Sequence, residues 1–262
     1  MRNGSAGPGR EAGQRRILVL SWLTYCLAYM LRVNINVVIP ALAQTFDYTY
    51  TQLGLVTSLY FVTYMTGQVI NGYLGDRVNS KLLILVGLVG SALCNLGVAL
   101  APSLTVLAVC WAVNGLVQSM LWAPLMKTLS VWFYGYQLGR VSFIMSFTMI
   151  IGYAASWGFS SVLVRQAGWA SAFVVPAVLV LVYAVVMAVL FVGKPGNGKE
   201  DTPVEKRPEQ SSPASDPPST LAFIRMIRLP GLLLIALTQG IIREGISVWF
   251  PTIISSSGYF SS

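Results

Sequence analysis

Seven stretches of the chain are apolar for about the ~20 residues a helix needs to cross hydrocarbon: 17–42, 51–74, 82–100, 104–126, 141–164, 170–192 and 229–254. Polar, glycine-rich or charged residues separate them. A bilayer offers no water to unpaired backbone groups, so runs of this length and character predict α-helices. The first is too long for a signal-peptide core and lacks a small-residue cleavage site, so it is expected to remain as a membrane helix. The pattern therefore predicts an all-α integral membrane protein.

Polar residues inside these spans recur at helical spacing. Tyr29, Arg32 and Asn36 share one face of the first span, and Tyr64, Gln68 and Asn71 one face of the second. Asn114, Gln118 and Trp122 do so in the fourth, and Gln239, Arg243 and Ser247 in the seventh. The spacing predicts that these faces line one cavity. For any single Asn, Gln or Tyr the other reading is a hydrogen bond between helices. The third and sixth spans are nearly apolar all round, which predicts helices packed toward lipid.

Two of the polar residues are arginines in mid-span, and each opens the pattern Arg-x-x-Ile-x-Val-x-x-Pro. One copy is Arg32, Ile35, Val37 and Pro40, the other Arg243, Ile246, Val248 and Pro251. Arg32 lies 15 residues after Ile17 and Arg243 14 after Leu229. At ~1.5 Å per residue both sit roughly 21–23 Å from the start of their span. A guanidinium cannot shed its proton to escape hydrocarbon, so it must face a bundle interior or a watery cavity, where it can hold an anion. Repeated elements at matching depth predict a carrier of anions built from two related halves. Glu244 follows Arg243 on a face turned by about 100°, a geometry that predicts a separate partner for each. Two readings stand for it: a proton-coupling carboxylate, or a bundle residue held by a hydrogen bond. Lys127 ends the fourth span, as a substrate-binding cation or as a snorkelling side chain.

Charge adds orientation. Of 17 basic residues, 13 fall on the side of the N-terminus, Arg165 alone falls on the other, and Arg32, Lys127 and Arg243 lie within spans or at their ends. The positive-inside rule then places the N-terminus in the cytoplasm and accounts for the net charge of +8 without a nucleic-acid partner. It also argues against an animal-type seven-helix receptor, whose N-terminus is outside, and the seventh span has no lysine to carry retinal. Lys194 to about Ser219 is rich in Pro, Ser and charge and reads as a cytoplasmic linker. The three cysteines lie in spans, where no disulfide framework is expected. No nucleophile–base set, metal cluster or phosphate loop is visible, so neither an enzyme nor a cofactor is expected.

The loop after the second span reads Gly72-Tyr-Leu-Gly-Asp76-Arg77-Val-Asn-Ser-Lys81. It resembles the signature of the major facilitator superfamily, and six spans, a polar linker and a seventh span match that layout. In the fourth span, Asn114-Gly115-Leu-Val-Gln118, then Leu121-Trp122-Ala-Pro124-Leu-Met-Lys127-Thr128 and Val131-Trp132-Phe133, resemble the organophosphate:phosphate antiporter family. Ile242-Arg243-x-Gly245-Ile246-x-x-Trp249-x-Pro251-Thr252 is similar to that family's seventh-helix element. The resemblance covers nearly all of residues 15 to 255. Ala123, Leu125 and Met126 depart from the family pattern, Val33 stands where some members have lysine, and Thr148 where phosphate-ester carriers have a fifth-helix histidine.

The resemblance implies a major facilitator fold, incomplete at seven of an expected twelve helices. Residues 1–16 would be a cytoplasmic tail, 17–193 the N-terminal six-helix bundle, 194–228 the linker and 229–262 the first helix of a truncated C-terminal bundle. It implies exchange of a phosphate ester, such as glycerol 3-phosphate or a sugar phosphate, for inorganic phosphate by alternating access, in a monomer of the inner (plasma) membrane. Arg32 and Arg243 would clamp the phosphate, with Tyr29, Asn36, Tyr64, Gln68, Lys127 and Gln239 around it. Gly72, Asp76 and Arg77 would gate the two states. The first-span sequence Leu31-Arg32-Val33-Asn34-Ile35 also resembles the anion:cation symporter family of carboxylate carriers. A membrane sensor of phosphate esters is a further alternative.

Overall fold

The computed structural model describes residues 8–100, 103–192 and 229–256. The expected linker, the segment 221–228 and seven of the topology-setting basic residues lie outside them, as does the side chain of Asp76. By Cα proximity the chain divides into two compact units, residues 1–195 with 251–262, and residues 196–250. Each is described by itself.

Nine helices are described: α1 Pro8–Met30, α2 Asn34–Phe46, α3 Tyr50–Arg77, α4 Ser80–Leu100, α5 Leu104–Gln118, α6 Trp122–Trp132, α7 Tyr136–Ala167, α8 Ser171–Leu190 and α9 Leu229–Ser256. Six helical segments of the first unit are long and apolar enough to cross a membrane: Gly9–Phe46, Tyr50–Gly75, Ser80–Leu100, Leu104–Trp132, Tyr136–Ala167 and Ser171–Leu190. They answer the first six apolar runs, and the chain is a multi-pass membrane protein. The seventh run is the 28-residue helix α9.

Helix starts follow local chemistry. Thr49 and Gln52 form a reciprocal capping box at α3, with Gln52 N donating to Thr49 Oγ1 at 3.2 Å and Thr49 N to Gln52 Oε1 at 2.9 Å. Ser103 accepts from Val106 N at the start of α5. Gly135, at φ 56°, makes the turn into α7 in backbone space that side-chain-bearing residues rarely occupy.

Two of the six spans are interrupted, which the hydropathy pattern conceals. The first breaks at Leu31–Val33, between α1 and α2, and the fourth at Ser119–Leu121, between α5 and α6. The second break has a local cause. Pro124 has no N–H for the Met120 carbonyl and its ring crowds that carbonyl, so the helix restarts just ahead of it. Nothing so simple stands near Arg32, because Pro40 lies inside α2 and eight residues further on.

In the first unit α3 packs chiefly on α5, α4 on α8 and α5, and α1 on α7. Its apolar core joins Leu31 of the first-span turn with Ile84 and Leu88 of α4, Leu125 of α6, Met145 of α7 and Met187 of α8. The third span, expected to face lipid all round, does so on one side only. Leu82, Val86 and Leu93 of α4 are exposed, whereas Ser91 and Asn95 on its other side are 1% and 0% exposed. Two polar residues in 21 barely alter the apolar average, yet they face the bundle interior.

One end of the bundle gathers the N-terminal helix and the basic loops. Gln14 donates to Trp132 O at 2.8 Å, Trp132 Nε1 to Val192 O at 3.2 Å, and the Arg10 guanidinium lies 5.4 Å from the Tyr134 ring. Phe46, Tyr48 and Trp169 stack at the other end, the end of Arg165.

Candidate functional site

Arg32 sits in the turn that interrupts the first span and is half-buried. Its guanidinium carbon lies 4.8 Å from the centroid of Tyr64, 5.4 Å from Tyr60, 5.7 Å from Tyr29 and 5.8 Å from Phe61. Each face-on ring stabilises a cation by roughly 0.5–1 kcal/mol where water has access and more where it does not. The aromatic ring set thus holds a charge in the bilayer interior without neutralising it. Arg32 also immediately precedes the N-terminus of α2, which adds positive potential. A small cavity of about 10 Å³ opens here, lined by Tyr25, Ala28, Tyr29, Arg32, Tyr64, Gln118 and Leu121. A fixed cation, phenol hydroxyls and a helix N-terminus make it suited to a small anion.

Of the residues expected at the site, Arg32, Tyr29 and Tyr64 come together. Asn36 is buried one turn along α2, and Gln68 is half-buried one turn beyond Tyr64. Lys127 lies elsewhere, with its Nζ donating to the Gly75 carbonyl at 2.7 Å, at the end of α3. Arg77 stacks on Tyr73 at 4.0 Å, and Gly72 is exposed on α3.

Sequence reasoning missed Tyr25, Tyr60 and Phe61. Tyr25 precedes Tyr29 by four residues and Arg32 by seven, and Tyr60 precedes Tyr64 by four. That period was the available signal. The rings support one another: Tyr25 meets Tyr29 edge-on at 5.4 Å and Trp122 at 4.7 Å, and Tyr29 meets Tyr153 at 5.2 Å.

Gln118 lines the cavity as expected, and it shares a further task with Asn71 and Asn114. Asn71 donates to Ser119 Oγ at 2.6 Å, at the break in the fourth span. Asn114 and Gln118 donate to the carbonyls of Leu31 and Ala28, at 2.9 and 3.1 Å. A broken helix exposes main-chain groups that only side chains can satisfy away from water. Thr148 is also engaged locally, its hydroxyl bonded to Met145 O.

In the second unit, Arg243 and Gln239 lie on one open face of α9 with Leu234, Thr238 and Ile242. The expectation that Glu244 and Arg243 point apart is corrected. Arg243 donates to Glu244 Oε1 through Nε at 3.1 Å and a terminal nitrogen at 2.7 Å. Adjacent positions diverge at Cβ, but a guanidinium has enough reach to fold back across that angle. Among the described residues no cluster of metal-ligating side chains occurs.

Residues 21–260 match the model of the Major Facilitator Superfamily, and the chain belongs to that family. It is similar to the phosphoglycerate transporter protein of Salmonella typhimurium, 29% identical over 70% of this chain and 41% of that protein. A probable hexose phosphate transport protein of Chlamydia trachomatis is 23% identical over 66% of this chain and 38% of its own length. The chain thus spans about two fifths of the length of these relatives. Among solved structures, a bacterial homologue of the human lysosomal transporter Spinster, inward-facing and unoccupied, matches at a TM-score of 0.63 and 17% identity. That match covers 77% of this chain and 48% of the other, and shows the fold.

Proposed function

We propose that the chain serves a secondary carrier of small organic anions that exchanges a phosphate ester for inorganic phosphate. The carrying observation is Arg32, an undischargeable cation at an unwound turn, ringed by Tyr29, Tyr60, Phe61 and Tyr64 around a small cavity. A planar guanidinium offers paired donors to phosphate oxygens. Support for phosphate esters over other anions comes from the carriers the chain is similar to. Arg32 and Arg243 bind the phosphate, one from each half of the whole protein, and the halves rock to alternate access. Residues 17–193 form the first bundle, 194–228 link it in the cytoplasm to a second that α9 opens, and the loop of Gly72, Asp76 and Arg77 biases the two states. The protein works in the plasma membrane with its N-terminus inside.

The test is uptake of labelled glycerol 3-phosphate or a sugar phosphate by the complete protein, reconstituted with internal phosphate. Charge-assisted hydrogen bonds are each worth about 1.5–3 kcal/mol, so Arg32→Lys and Arg243→Lys should each weaken binding roughly ten- to a hundredfold, in protein that remains folded and inserted. Normal exchange by both variants would make the arginines structural. A second reading, carboxylate symport, draws on Glu244, an acid in contact with Arg243. It wins if the parent ignores phosphate but moves a carboxylate with protons or sodium.

A further inference from the structure

We propose that Asn95, Asn114 and Gln118 are positioning residues for Arg32: their amides hold the first span open at Leu31–Val33 and so aim the guanidinium into the cavity. The proposal rests on the anion-binding reading of Arg32.

In a continuous helix the carbonyls of Ala28 and Leu31 would accept from the N–H groups of Arg32 and Ile35. Here Arg32 N donates to Tyr29 O at 3.1 Å instead, a tighter turn, and Ile35 N to Asn34 Oδ1 at 3.1 Å. Ala28 O takes Leu31 N at 3.2 Å and Gln118 Nε2 at 3.1 Å. Leu31 O takes Asn95 Nδ2 at 3.1 Å and Asn114 Nδ2 at 2.9 Å. The amides come from α4 and α5, neither contiguous with the first span, and are 0%, 0% and 4% exposed. Without them the Leu31 carbonyl would be buried with no donor from its own chain segment, and the helix would close to satisfy it.

The same amides are cross-tied. Ser91 Oγ donates to Asn114 Oδ1 at 2.6 Å and accepts from Gln118 Nε2 at 2.8 Å. Asn34 Nδ2, at the first residue of α2, donates to Asn95 Oδ1 at 2.8 Å. Tyr60 donates to Gln118 Oε1 at 3.1 Å, and its ring is one wall around Arg32. One amide therefore fixes both the turn that carries the cation and a ring that shelters it. Gly115 permits this approach, because a Cβ there would collide with Thr63 Oγ1 and the Tyr60 carbonyl. Neither glycine nor proline lies in the turn itself, so tertiary donors, together with the Asn34 side chain that takes Ile35 N, account for it.

The test uses the complete protein in membrane vesicles and two backgrounds, Asn114→Leu and Asn95→Ala. Each removes one of the two donors to Leu31 O and so weakens the hold on the open turn, while the remaining donor keeps the protein inserted. Single cysteines at positions 31 to 36 of cysteine-free protein are labelled with a water-soluble maleimide. In the parent only the cysteine at 32 should react, since 31 and 33–36 are no more than 3% exposed. In the two backgrounds the reactive position should move as the turn closes toward helix, and the KM for glycerol 3-phosphate should rise about tenfold with turnover at saturation little changed. An unmoved labelling pattern in both backgrounds overturns the proposal, as does a moved pattern with an unchanged KM. If the parent itself takes no phosphate ester, the transport reading fails and the labelling pattern still decides the role of the amides.

Discussion

Gly152 of α7 faces Tyr29 so closely that the site should register a single added methyl group. A Cβ built there lies 2.8 Å from Tyr29 Cβ and Cδ2 and 2.9 Å from Cγ. One clashing atom is Tyr29 Cβ, so rotating the ring gives no escape and α1 itself must retreat. Overpacking of this kind costs about 1–3 kcal/mol. Alanine regains about 1 kcal/mol of helix propensity over glycine, a gain common to any open glycine of the same helix. Gly158 is such a control, with nothing within 4 Å of its added Cβ. The difference between Gly152→Ala and Gly158→Ala therefore isolates the clash at ~1–3 kcal/mol. At about 2–4 °C per kcal/mol for a chain of this size, the two variants should melt about 2–12 °C apart, with Gly152→Ala lower. Intrinsic tryptophan fluorescence during heating in detergent reads this. Displacing Tyr29 from Arg32 should also weaken phosphate-ester binding by about two- to fivefold, one cation–π contact's worth. If the two variants melt together, α1 and α7 do not meet at Gly152 as described and the ring set around Arg32 is not held from that side.

Glu244→Gln should release Arg243 from its neighbour and tighten anion binding by about two- to fivefold, the scale of a partly exposed ion pair, read by ligand titration; weaker binding would mean that Glu244 itself helps hold the ligand. For topology, a single cysteine at Asn79, between α3 and α4, should be shielded from an impermeant reagent in intact cells while one at Tyr48, between α2 and α3, reacts. The reverse pattern would overturn a cytoplasmic N-terminus.

Much of the architecture was legible because crossing a membrane imposes a one-dimensional rule. Apolar length alone located the six spans of the first unit, since hydrocarbon tolerates little else. Arg32 was legible for a related reason: a cation that cannot lose its charge must have a cavity or counter-charges. Its ring set was only partly legible, because Tyr60 and Phe61 come from another helix and their meeting with Arg32 depends on how α3 packs. Glu244 shows the opposite limit. Helical geometry separates neighbouring Cβ atoms, but side-chain reach decided the contact.

What the sequence by itself determined is composition along an axis: which segments cross, which residues lie at mid-depth, and the family pattern in the second, fourth and seventh spans. What only the tertiary structure decided is that the first span is not one helix. Hydropathy averages over about twenty residues and is blind to a three-residue turn between two apolar stretches. The turn at Arg32 exists because Asn95, Asn114 and Gln118, 63 to 86 residues away in sequence, bring amide donors to its carbonyls. In hydrocarbon an irregular backbone survives only where such donors meet it, and that meeting is a property of packing.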